Sequence, residues 1–66
     1  MTKIGDIVGF FHNDNGVKVT IYIKIHEFME NRTKVAGYEY TDKGKRVNPP
    51  KRWIVPVNKV FKVFVG

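Results

Sequence analysis

Between Val17 and Ile25 the chain reads VKVTIYIKI, with an apolar residue at every second position. Val17, Val19, Ile21, Ile23 and Ile25 would share one face of a strand, and Lys18, Thr20, Tyr22 and Lys24 the other. A helix would spread these residues around its circumference and cost each β-branched side chain rotamer freedom. The stretch therefore predicts a strand with one buried and one solvated face, around which the other elements must be arranged.

Turn chemistry supplies the neighbours. Residues 7–11 form a short apolar strand in which Gly9 marks a bend or a close backbone approach. Asn15-Gly16 between two β runs predicts a tight hairpin, because both residues tolerate positive φ. Residues 26–33 break the alternation and are expected as a turn, with Phe28 or Met29 folded back on the core. KVAGYEY, residues 34–40, reads as a third strand in which either Val35 and Gly37 or Ala36, Tyr38 and Tyr40 face inward. Thr41-Asp42-Lys43-Gly44 predicts a tight turn with Gly44 left-handed, after which residues 45–47 resume pairing. Asn48-Pro49-Pro50 is loop, since proline cannot donate to a ladder. RWIV, residues 52–55, is a fourth strand ended by Pro56, residues 57–59 suit one 3₁₀ turn, and residues 60–65 close the sheet.

Sixty-six residues allow one domain, residues 1–66, which buries only about 60% of the surface its unfolded chain exposes. There is little room for a deep catalytic pocket, and without cysteine neither disulfides nor thiolate zinc sites are available. His12, His26, Asp6 and Glu27 show no ligand spacing, and no phosphate loop, nucleophile elbow or carboxylate pair is present. No enzyme activity, catalytic residue, metal or cofactor is expected. With no long apolar run and Gly5-Asp6 where a signal peptide would be apolar, the expected location is the cytoplasm, away from membranes.

Charge is one-sided. The net charge is +6, yet residues 1–42 hold five basic and all six acidic side chains, whereas residues 43–66 hold seven basic and none acidic. Lys43, Lys45, Arg46, Lys51 and Arg52 fall within ten residues around the proline loop. Loops on a rigid barrel often carry binding groups, and such a cluster attracts phosphates or an acidic protein. Lys18, Tyr22 and Lys24 on the outer face of the long strand form a second candidate.

Strand, proline, 3₁₀ turn and final strand in RWIVPVNKVFKV, together with the opening Gly5-Asp6-Ile7-Val8, resemble the SH3-like small barrels. These include KOW and Tudor modules, the C-terminal DNA-binding domain of retroviral integrases and the small plasmid-borne dihydrofolate reductases. The resemblance implies an all-β, five-stranded SH3-like small barrel with one 3₁₀ turn before the last strand. A Tudor-type aromatic cage would have to come from Tyr22, Tyr38, Tyr40 and Trp53, which no spacing places together. Arg52-Trp53-Ile54-Val55 departs from the reductases' Val-Gln-Ile-Tyr run, so no reductase activity carries over. The integrase-like domains match in the basic residues Lys51, Arg52, Lys59 and Lys62.

The leading expectation is a nucleic-acid-binding module, contacting the backbone of DNA in preference to RNA with little sequence preference. Its site would comprise Lys43, Lys45, Arg46, Lys51, Arg52, Trp53, Lys59 and Lys62, and its small size suits a mobile element. The alternative is a protein-binding module or small inhibitor that docks its basic face or a sheet edge on an acidic protein. Trp53 has two phases open: inward with Val55, or outward with Ile54 inward, the second being the one the resemblance implies.

Overall fold

The alternating stretch becomes the longest strand of a five-stranded sheet. In the computed structural model, which describes residues 2–63, the chain runs β1 (Ile7–Asp14), β2 (Val17–Met29), β3 (Lys34–Tyr40), β4 (Arg52–Pro56), a 3₁₀ turn η1 (Val57–Lys59) and β5 (Phe61–Lys62). Every pairing is antiparallel, and the strand order is β4-β3-β2-β1-β5. The all-β class, the five strands and the 3₁₀ turn before the last of them agree with the sequence-based expectation. Among the described residues no helix is long and apolar enough to cross a membrane.

Asn15 and Gly16 turn the chain at positive φ, 52° and 83°, and β1 pairs with β2 from Asp14↔Val17 to Ile7↔Lys24. Beyond Ile25 the expectation of a turn over residues 26–33 is corrected: β2 continues to Met29, and only residues 30–33 reverse the chain. The register with β3 shifts between Ile25 and Glu27, leaving His26 as one extra residue on β2. Such a bulge reverses the alternation beyond it. Phe28 therefore packs against the core, where unbroken alternation from Ile25 would have turned Glu27 inward.

Val8, Phe10, Ile23, Ile25, Val35 and Val55 form the buried cluster, and Ile21, Phe28, Trp53, Val57 and Val60 pack on it. Two open questions of phase are settled by this core. In β3, Val35 and Gly37 lie on the inner side, opposite Phe28 and Ile25, so Tyr38 and Tyr40 face outward. In β4, Val55 is 8% exposed and Ile54 46%, so the phase implied by the resemblance is not adopted and Trp53 faces inward. The Trp53 ring meets Phe10 of β1 edge-on, with centroids 5.3 Å apart. Flat strands three places apart would be separated by about 14 Å. Their rings touch because the sheet is strongly curled.

The end of the chain pairs less than expected. Of residues 60–65 only Phe61–Lys62 form β5, opposite Gly9 and Val8, with Val63 N donating to Ile7 O at 3.1 Å; Phe64 and Val65 lie outside the described residues. Residues 45–47 resume pairing through one bridge, Tyr40↔Arg46, flanked by hydrogen bonds from Thr41 N to Lys45 O and from Val47 N to Glu39 O.

Gly37 is where the sheet is least tolerant. A Cβ there would overlap the backbone carbonyl of Lys24 on the neighbouring strand, which no rotamer change can relieve. Gly37→Ala should therefore cost about 3 kcal/mol, whereas Ala36→Gly beside it should cost about 1 kcal/mol. Urea midpoints with unchanged slopes would measure both; equal losses at the two positions would contradict this packing.

Candidate nucleic-acid interface

The alternation that buries Ile23 and Ile25 pushes Tyr22 and Lys24 to the opposite, convex side of the sheet. Across the ladder from Lys24 stands Tyr38, and across from Tyr38 stands Arg52; across from Tyr22 stands Tyr40, and across from Tyr40 stands Arg46. Antiparallel partners share a face, so three tyrosines and three cations come together there. The bulge adds His26, whose ring stacks on Tyr38 with centroids 5.2 Å apart and planes 25° apart.

Cations lie against rings throughout this face. The Arg46 guanidinium is 5.1 Å from the Tyr38 centroid, Lys24 Nζ 5.9 Å from that of Tyr40, and Lys18 Nζ 4.5 Å from that of Phe11. Cations over ring faces are attracted by the quadrupole, by about 0.5–1 kcal/mol when exposed. The contact also holds each positive group close to a flat apolar surface. Ile4, Gly5, Lys24, Ile25, His26, Tyr38, Tyr40 and Arg46 enclose an open cleft of about 300 Å³. Gly5 N donates to Ile25 O at 2.8 Å, which fixes the N-terminal wall of this cleft against β2.

Arg52 is positioned by two bonds. Its Nε donates to His26 Nε2 at 3.3 Å and its Nη2 to Glu27 Oε1 at 3.2 Å. Glu27 is the one acidic residue that the register sets on the convex side of the strands, among the described residues, and it is already paired with Arg52. Glu39 lies on the inner side and accepts the Trp53 indole N–H at 2.9 Å.

Of the residues singled out in the sequence, Lys18, Tyr22, Lys24, Arg46 and Arg52 are thus gathered on one face, which merges the basic loop with the second candidate. Lys43 and Lys45 are exposed on the turn whose backbone N–H groups bond to Thr41 Oγ1. Lys51 and Trp53 are elsewhere: the Lys51 ammonium sits 4.9 Å from the Trp53 centroid on the inner side of the curl, where His12 meets the same ring. Lys59 is in η1, and Lys62 is opposite Val8, on the other side of β5 from Phe61. In the sequence His26 figures only as a rejected metal ligand and Tyr38 and Tyr40 only as members of a Tudor-type cage, while Phe11 and Phe61 have no site role. KVAGYEY held the signal for the two tyrosines but left its phase open, and nothing in the local sequence announces the bulge that recruits His26.

Compared with known protein families, curated proteins and solved structures, the chain matches none.

Because Trp53 braces the curl from within, Trp53→Ala should lower stability by about 3 kcal/mol. Trp53→Phe, which keeps the ring contact with Phe10 and loses the bond to Glu39, should lower it by about 1 kcal/mol. Thermal unfolding of the two variants measures this. An alanine variant as stable as the parent would contradict the bracing role.

Proposed function

We propose that this protein binds single-stranded nucleic acid, DNA in preference to RNA, through the convex face of its sheet and with little sequence preference. The observation that carries the reading is the interleaving of cations and aromatic rings on a face whose one strand carboxylate is already paired. Nucleic acid presents the complementary pattern, since every nucleotide carries a phosphate and a flat base. Stacking is indifferent to which base is stacked, and phosphate contacts carry no sequence information.

The face suits single strands better than duplex. A duplex hides the faces of its bases, so rings on a convex sheet would meet only sugar and phosphate. Unpaired bases can instead stack on the His26–Tyr38 pair, beside the Arg46 guanidinium. Lys24, Arg46, Lys18 and Arg52 supply the phosphate contacts, with Arg52 exchanging its bond to Glu27 for one to the ligand. A general attraction of acidic proteins to the net positive charge would account for the cations but not for the half-buried tyrosine rings between them. Membership of the SH3-like barrels fits the strand order and belongs to the same proposal. Action inside the cytoplasm, and an origin in a mobile element, are consistent with it.

Salt dependence tests the site. On single strands log K falls by about 0.7 per neutralised phosphate for each unit of log salt, so four contacts give a slope of about −2.8. Lys24→Gln combined with Arg46→Gln should halve that slope, while Lys51→Gln, on the inner side, should leave it unchanged. Oligothymidine titrations at several salt concentrations measure all three. Failure of the parent to bind any oligonucleotide near physiological salt would overturn the reading in favour of an acidic protein partner. An effect of Lys51→Gln equal to that of the double variant would move the site off the convex face.

A further inference from the structure

The cleft occupies one end of the convex face, and a second aromatic pair stands at the other. Phe11 is 58% and Phe61 39% exposed, their centroids are 5.3 Å apart at 39°, and Lys18 Nζ lies over Phe11. Neither ring belongs to the core. Phe61 takes its place because Gly9, its partner on β1, has no side chain: a Cβ on Gly9 would come within 2.7 Å of the Phe61 ring.

Gly9 lies on a line that crosses four of the five strands. Phe61 is the partner of Gly9, Gly9 of Tyr22, Tyr22 of Tyr40, and Tyr40 of Arg46. Side chains that are direct partners stand side by side on one face, so this row forms a continuous track from β5 to the loop before β4. At about 4.8 Å per strand, its four steps measure about 19 Å along the curved backbone.

We infer that the bound strand crosses the sheet at right angles to the β-strands along this row, with Phe11 and Phe61 as a second stacking station opposite the Tyr38 cleft. The inference rests on the single-strand reading and adds the path and length of the ligand. With bases stacked at about 3.4 Å, 19 Å accommodates about six nucleotides, and fewer where they splay. A mononucleotide or dinucleotide fills one station only. Lys18, over Phe11, and Lys24, near Tyr40, then meet phosphates at separate points along the strand rather than at one anion site.

Titration of thymidine oligomers of two, four, six, eight and twelve nucleotides tests the path. Affinity should climb steeply up to about six nucleotides and then only as the number of overlapping registers grows. Phe11→Ser should weaken the octamer about tenfold, the loss of one base stack, and leave the dimer within about twofold of the parent. Circular dichroism and the unfolding midpoint would establish that the variant is folded, and the length series on the parent requires no variant at all. A dimer that binds as tightly as the octamer, or an octamer indifferent to Phe11→Ser, would overturn the crosswise path while leaving the cleft as the binding site. Absence of binding at every length would overturn the single-strand reading and this path with it.

Discussion

Burial of Ile23 and Ile25, at 0% and 1% exposure, holds the remaining strands to one register. β2 is the partner of both β1 and β3, and side chains alternate along it with a period of two. A slip by a single residue would place Lys24 in the core and the isoleucines in water. Removing one such isoleucine from water contributes about 1.5–3 kcal/mol, a large fraction of the stability available to a domain of this size. The same constraint dictates the other face. Tyr22 and Lys24 face outward because their neighbours cannot, and the ladder then carries that phase to Tyr40, Tyr38, Arg46 and Arg52.

The bulge at His26 serves both faces. Inward, it returns Phe28 to the core after Glu27 has been kept out. Outward, it supplies a ring that stacks on Tyr38 and accepts a hydrogen bond from Arg52, while Glu27 beside it pairs with the same guanidinium. One inserted residue thus joins β2, β3 and β4 on the convex side through side chains, in addition to their backbone ladders. Arg52, a long side chain on an edge strand, is held on the face by these two bonds without being buried.

What the sequence revealed and what it concealed follow from the range of each interaction. The long strand, the Asn15-Gly16 hairpin and the 3₁₀ turn after Pro56 rest on alternation and local backbone chemistry, and all three are present. β2 beyond Ile25 was hidden because the bulge breaks the very period used to find strands. The phases of KVAGYEY and RWIV were ambiguous because each has an apolar or aromatic residue on both sides; pairing with Ile25 and Phe28 decides the first, and the curl that brings Trp53 onto Phe10 the second. Clustering of positive charge in residues 43–66 was plain in the sequence, but its division was not. Arg46 and Arg52 reach the convex face, whereas Lys51 covers Trp53 on the inner side. The tyrosines and histidine that give the face its character are brought together by pairing over long separations in the chain.

The central claim is that one face of a single curled sheet binds the ligand while the inner side is structural. Residue-resolved nuclear magnetic resonance with an oligothymidine octamer addresses it most directly, because both sides carry distinctive signals in the same titration. The account predicts that the ring and guanidinium resonances of Tyr22, Tyr38, Tyr40 and Arg46 move with added oligonucleotide while the Trp53 indole N–H, bonded to Glu39, stays in place. Shifts centred on Trp53, Lys51 and His12, with the tyrosines unmoved, would contradict it.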